Sequence, residues 1–452
     1  MGNAFRSRCS VGVILCLVAA SAGCGVRRTH NPQHPDVLFI TLDTLRADHC
    51  SAYGYGKPTT PEMEKFAAQG VLFEETYCPM PTTGPAHATM FTSLAPLAHG
   101  FAKNGQLLRE EFVTLAEVLR DNGYRTGAVV SSFAVHGKFG LAQGFNDYND
   151  DFGTKRGEFR ATRWEGHPVP GAFDQDAVVT TKEAVAWLRA NSDDAEPLFL
   201  WVHYFDPHWP YHPPAPYDTM FPADKDDPVA HSLAAYDGEI RETDDAVARL
   251  LEHVDDETLV IMVGDHGEEF MQHGWAWHDL HLYEESVRVP LVVRWPGHLP
   301  AGLRLRGPVE LADLMPTLLD LLGLRLLPGM TGISLVPAMR DGAALAPDRE
   351  IFLQRRQYKS GLEGRFRVEG DKSAVRSGSL KYIEAQAENS YELYDLATDP
   401  GERANLVSRR RADAERLAAS LRAWRESAPA VTHEQTVEPA DAEKLRSLGY
   451  VQ

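Results

Sequence analysis

A chain of 452 residues is too long for one ordinary hydrophobic core, so one large domain with a smaller one beside it is expected. A hydrophobic content of 43% with 24% charged residues excludes a disordered chain. The formal net charge of −19 argues against nucleic-acid binding, and it leaves any anionic substrate dependent on a local positive site such as a metal.

In chain order, Arg6 and Arg8 precede the apolar run Val11–Ala20, and Ser21-Ala22-Gly23-Cys24 follows. Residues 1–23 therefore read as a signal peptide, too short for a stop-transfer helix. Ala22-Gly23-Cys24 resembles a bacterial lipobox, with Ser21 where an aliphatic residue is usual. The resemblance implies a lipid anchor on Cys24 and a place in the bacterial cell envelope, periplasm or outer membrane. Ordinary signal cleavage near the same point is the alternative, and it also implies export. Cys50 and Cys78 remain, and pairing between them stays open. Neither belongs to a CxxC pair that would ligate a metal.

Val37–Leu42 is a continuous apolar run, as expected of a buried parallel strand, and Asp43 stands at its C-terminal end. Thr60 is expected to cap a helix with Pro61 at its first position and Gly70 beyond its end. Thr114-Leu115-Ala116-Glu117 is a capping box for a helix ending near Gly123. Thr126–Val130 reads as a strand and Ala177–Arg189 as an amphipathic helix. Leu198–Val202 is another buried strand, followed by His203 and then Asp206-Pro207-His208. The proline-rich stretch Pro207–Pro216 is read as a loop at the rim of the site. A long helix around Leu233–Leu251 precedes the strand Leu259–Val263, which runs into Gly264-Asp265-His266-Gly267.

This alternation predicts a doubly wound α/β domain with a mostly parallel sheet over about 35–325. Polar residues at three strand ends fit the place where open α/β sheets put their sites. Over 326–452 the expectation is a smaller C-terminal α+β domain. Its antiparallel strands are Ile351–Arg355, Arg365–Glu369, Leu380–Ile383 and Glu392–Leu396, covered by a helix at Arg409–Glu426.

Between the first strands lies Pro81-Thr82-Thr83-Gly84-Pro85-Ala86-His87-Ala88. Pro85 suits the first turn of a helix, which puts Thr83 just before the N-terminus, where the dipole favours an anion. Thr83 is then either a helix cap or a nucleophile, with His87 one turn along the same face.

Together these blocks resemble the sulfatase family of the alkaline phosphatase superfamily, from about Pro35 to the C-terminus. Leu42-Asp43-Thr44-Leu45-Arg46-Ala47-Asp48 resembles its opening signature, and Gly84-Pro85-Ala86-His87-Ala88 its nucleophile segment. Asp206-Pro207-His208, Asp265-His266-Gly267-Glu268, Tyr283–Pro290, Asp313-Leu314-Met315-Pro316-Thr317 and Leu393-Tyr394-Asp395-Leu396 match further blocks. Sulfatases carry Cys (or Ser)-x-Pro-x-Arg, whose first residue is oxidised to formylglycine. Aligned on Pro85, this chain has Thr83 in place of the Cys and His87 in place of the Arg. Threonine has no such oxidation. Thr83 instead resembles the unmodified threonine nucleophile of the phosphorus-handling branches, which include phosphoglycerol and phosphoethanolamine transferases.

The resemblance implies one divalent metal ion held by Asp43, Asp265 and His266, with the Thr83 oxygen completing the set. Thr44 replaces a carboxylate of the usual calcium site and His266 replaces an amide, which favours manganese, zinc or magnesium over calcium. It also implies that His208 and His278 contact the transferred group or protonate the leaving group, and that His87 orients Thr83 or acts as its base. His203, His273 and His281 occupy no matched motif position, and Asp48, Asn104 and Lys138 read as structural. The expected activity is hydrolysis of a phosphate or sulfate ester, phosphoester favoured, on a lipid, glycan or small molecule. A transferase passing the group to an alcohol, or a non-catalytic binder of anionic glycans, are the alternatives.

Overall fold

The structure is a computed structural model that describes residues 34–427 apart from 154–162, 166, 170–171, 193–195, 225 and 364–365. The expected signal peptide and the Cys24 anchor fall outside the described residues. Among the described residues, no helix is long and apolar enough to cross a membrane.

The large domain is built on eight strands: β1 (Val37–Leu42), β2 (Val71–Tyr77), β3 (Arg125–Val130), β4 (Asp147–Asn149), β5 (Leu198–Tyr204), β6 (Leu259–Gly264), β7 (Arg288–Arg294) and β8 (Leu303–Glu310). Their order across the sheet is β8-β2-β7-β6-β1-β5-β3-β4. β1 pairs in parallel with β5 on one side and β6 on the other, and only β7 runs antiparallel to its neighbours. The doubly wound, mostly parallel expectation is thus observed. β1 is buried along its whole length. Its alternation sends Val37 and Phe39 into one core layer and Leu38, Ile40 and Leu42 into the other, so helices cover both faces.

β2, β4, β7 and β8 are the strands the apolar pattern does not announce. Pro290 interrupts β7, and the register against β2 shifts between Val289 and Leu291, where a proline is tolerated because the ladder is already broken.

Helix ends follow side-chain chemistry closely. The capping box at Thr114 is formed: its hydroxyl accepts from Glu117 N–H, and Glu117 accepts from Thr114 N–H. Thr60 precedes α1 (Pro61–Ala67) but does not cap it with its side chain. Asp244, from the long helix Pro228–Leu251, accepts from Glu62 N–H at 2.7 Å and Met63 N–H at 2.9 Å instead. That long helix starts earlier than the apolar pattern suggests, because Asp227 caps it and Pro228 occupies its first turn.

The small domain has a four-stranded antiparallel sheet, Ile351–Gln354, Ser373–Ser377, Leu380–Ala385 and Ser390–Asp395, under the helix Arg411–Ser427. The expected strand at Arg365–Glu369 is not part of it: Phe366–Gly370 pairs with Tyr358–Glu363 in a separate two-stranded ribbon. Ser373–Ser377 takes its place in the sheet. Cys50 and Cys78 are both free and buried.

Candidate active site

The three adjacent central strands β6, β1 and β5 end on one rim, and the chemistry collects there. Asp43 follows β1, with its N–H bound to Tyr204 O at 3.0 Å. Asp265 follows β6, with its N–H bound to Leu42 O at 3.2 Å. Thr44 between them is forced to a φ of +54°, a strained value for a β-branched residue. The turn is held because Thr44 N–H donates to Asp265 Oδ1 and Tyr236 Oη–H donates to Thr44 O. Gly267 completes the next turn, where a Cβ would lie 2.0 Å from Glu285 O.

The nucleophile segment forms a helix, α2 (Thr83–Thr92). Thr83 is its first helical residue rather than the cap, and Thr82 is the cap in position but makes no cap hydrogen bond. Thr82 turns its hydroxyl to Asp279 Oδ1 instead, and Gly84 N–H is satisfied by Asn104 Oδ1 at 2.8 Å. The Thr83 hydroxyl lies 3.2 Å from His266 Nε2.

Asp43, Asp265 and His266 are fully buried and offer ligand atoms within 4.8 Å of one another. Both oxygens of Asp43 and Oδ2 of Asp265 have no hydrogen-bond partner among the described residues, a costly arrangement unless a cation sits between them. Burial raises the pKa of both carboxyls, to about 7 for Asp265, and Asp43 is raised further by Asp265 itself. His266 donates Nδ1–H to Gly267 O at 3.0 Å, which leaves the Nε2 lone pair facing the carboxylates. Two carboxylates and an imidazole therefore fit one divalent cation, with Thr83 Oγ within reach of the same place.

His208 and His278 meet across the cleft, Nε2 to Nε2 at 3.2 Å. His208 Nδ1 donates to Trp209 O, and burial lowers its pKa to about 3, so its Nε2 is an acceptor. For His278, burial opposes the charge but Asp279, 3.0 Å from Nδ1, outweighs it and lifts the pKa to about 9. His278 is thus the protonated partner, donating Nε2–H to His208. Asp279 is held at a φ of +75° by the Thr82 and His278 bonds, and it carries no recognised motif letter in the sequence.

His87 reaches Thr83 through its main chain. Nδ1–H donates to Thr83 O at 2.8 Å, and Nε2, without a proton in the neutral ring, accepts from the Thr41 hydroxyl at 3.0 Å, while Thr41 receives Trp201 Nε1–H. Burial holds the ring neutral, with a pKa of about 4. The ring thus touches the Thr83 carbonyl and not the Thr83 hydroxyl. Asp48 pairs with Arg46, while His273 and His281 pair with Glu285 and Glu269, all away from the cleft. His203 lies beside Asp43, a position no sequence motif indicates. Thr83, Asp43, Asn104, His208 and His278 line a cleft of about 240 Å³, with the half-exposed Trp209 and Trp277 at its mouth.

A family model described as Sulfatase matches residues 35–324, and one for the C-terminal part of N-sulphoglucosamine sulphohydrolase matches 272–426. A sulfatase of Formosa agariphila is 26% identical over 436 residues, covering 81% of this chain and 82% of its own. The multifunctional alkaline phosphatase superfamily protein PehA of Trinickia caryophylli is 26% identical over 471 residues, covering 82% and 91%. The solved phosphonate monoester hydrolase of Silicibacter pomeroyi superposes with a TM-score of 0.70 at 22% identity, covering 88% of this chain and 98% of that one. With the family model spanning more than half of its length, the chain belongs to the sulfatase family of the alkaline phosphatase superfamily and is a hydrolase of that family.

Proposed function

We propose that the protein hydrolyses phosphoesters, or phosphonate monoesters, in preference to sulfate esters, with Thr83 as the nucleophile. The observation that carries this reading is the Thr83 hydroxyl lining the cleft, 3.2 Å from His266 Nε2, which itself faces the unpartnered oxygens of Asp43 and Asp265. A bound divalent cation, manganese, zinc or magnesium by its donor set, would lower the pKa of that hydroxyl and neutralise charge on the transferred group. Asp43, Asp265 and His266 would hold it. With the Thr83 hydroxyl proton released to solvent as the cation binds, Thr83 Oγ would form its bond to phosphorus as the bond to the alcohol breaks, and the departing alkoxide would take the Nε2 proton of His278. Water would then attack phosphorus, its oxygen joining the released phosphate as Thr83 Oγ leaves, and the proton it sheds would restore His278 Nε2–H. His278, paired with Asp279, places a positive charge against the non-bridging oxygens.

The preference for phosphorus follows from the nucleophile. A hydrated aldehyde such as formylglycine can release its group by collapsing to the carbonyl. A threonine ester has no such exit, so water must attack the transferred atom itself, as in two-step phosphoryl transfer. Export with a lipid anchor on Cys24 belongs to the same reading, supported by the Arg6-to-Cys24 pattern of the sequence. The test is kcat/KM of the purified protein on paired aryl esters. An aryl phosphate or phenylphosphonate should be turned over faster than the matching aryl sulfate, and turnover of the sulfate alone would overturn the preference.

A further inference from the structure

Each metal ligand of the site has one atom turned to the cation position and one atom to be held by the protein. His266 is held at Nδ1 by Gly267 O. Asp265 is held at Oδ1 by two main-chain donors, Thr44 N–H at 3.1 Å and His266 N–H at 2.7 Å, leaving Oδ2 free and 3.6 Å from His266 Nε2. Asp43 turns Oδ1 to the same place, 3.5 Å from His266 Nε2, but its Oδ2 has no hydrogen bond among the described residues.

The group facing that oxygen is His203. It lies on β5 in register with Thr41, two residues before Asp43, so strand alternation sets it on the same face. Its ring is fully buried, and neither nitrogen has a hydrogen-bond partner among the described residues. Nε2 stands 3.7 Å from Asp43 Oδ2, within about 1 Å of hydrogen-bond length. The alternative, a second cation between His203, His87 and Asp265, fails because both nitrogens of His87 are already engaged by Thr83 O and the Thr41 hydroxyl.

The geometry points to His203 as the positioning residue of the metal site: its Nε2–H donates to Asp43 Oδ2 when Oδ1 ligates the cation. This rests on the assignment of Asp43, Asp265 and His266 as ligands. Like main-chain donors on Asp265, the imidazole would fix which oxygen of Asp43 faces the metal and relieve the charge left on the other.

The experiment measures Mn²⁺ and Zn²⁺ affinity by calorimetry on chelator-stripped full-length protein, for wild type, His203→Ala, His203→Gln and Asp43→Asn. His203→Ala should bind about 10–100-fold more weakly. His203→Gln, which keeps an N–H donor, should recover part of the loss. X-ray absorption should count one imidazole on the metal in wild type and in His203→Gln alike. Wild-type affinity in His203→Ala overturns the proposal, as does loss of an imidazole from the spectrum of His203→Gln, which would make His203 a ligand. Should His203→Ala melt markedly lower in chelator, His203→Gln decides: affinity above that of His203→Ala supports the role, and affinity no better than His203→Ala in a Gln variant that melts like wild type argues against it. A wild-type protein that takes up neither ion removes the ligand assignment itself, and Asp43→Asn then matches wild type.

Discussion

Thr83 and His266 illustrate how much one substitution changes at this rim. In a formylglycine enzyme the first residue brings a second hydroxyl, whereas Thr83 brings one hydroxyl and a methyl, so on the proposed reading the metal and His278 would supply the remaining charge control. Removing a ligand should therefore act on metal and chemistry together. Asp265→Ala or His266→Ala should lose both bound metal, by elemental analysis, and turnover. His278→Ala should keep the metal but lower kcat/KM about 10²–10³-fold, the usual cost of one charged donor to a developing negative charge. Asp43, Asp265, His266 and Thr83 were legible in the sequence because each stands in a short motif after an apolar strand or before a helix. Asp279, Asn104 and His203 were not, because their importance lies in partners far along the chain: Asp279 with Thr82, Asn104 with Gly84, His203 with Asp43. His203 also sits at the end of a buried strand, where a histidine reads as core.

At the scale of elements, apolar runs and caps were the dependable signals. β1, β5 and β6 were legible as continuous apolar strands, and the Thr114 capping box fixed a helix start to the residue. Thr114→Ala should cost about 1 kcal/mol of unfolding free energy in urea while leaving kcat/KM unchanged, since the helix only supports the sheet. What was not legible has a physical cause in each case. β7 carries an internal proline at a register shift, and the α1 cap comes from Asp244 across a helix–helix contact. Phe366–Gly370 looks like any short strand, and only tertiary pairing assigns it to a ribbon rather than to the small sheet.

Across the whole molecule, the small domain is tied to the catalytic one by buried charge and by backbone. Lys381, fully buried, meets Glu284 and Glu402 at 3.0 Å each, and Gln354 N–H donates to Pro79 O just ahead of the nucleophile segment. Lys381→Met leaves Glu402 buried without a counter-charge and should cost about 3–5 kcal/mol by urea unfolding. His273 spans the same boundary, bonding Glu285 Oε1 and Glu402 O. Burial opposes its charge, but Glu285 outweighs burial and holds the pKa above the usual histidine value. The stabilisation from a raised histidine is complete below about pH 6.5 and is lost as pH rises through the folded-state value. Thermal stability of wild type relative to His273→Gln should therefore be greatest at acidic pH and shrink above neutrality.

The claim on which the account turns is the role of Thr83, and the most direct measurement is turnover of a phosphoester by metal-loaded Thr83→Ala beside Thr82→Ala. Thr83→Ala should retain its metal and lose several orders of magnitude in kcat, with Thr83→Ser keeping part of it, because the covalent step is gone. Thr82→Ala should lose far less. Normal turnover by Thr83→Ala, or abolition of the reaction by Thr82→Ala instead, would contradict the account.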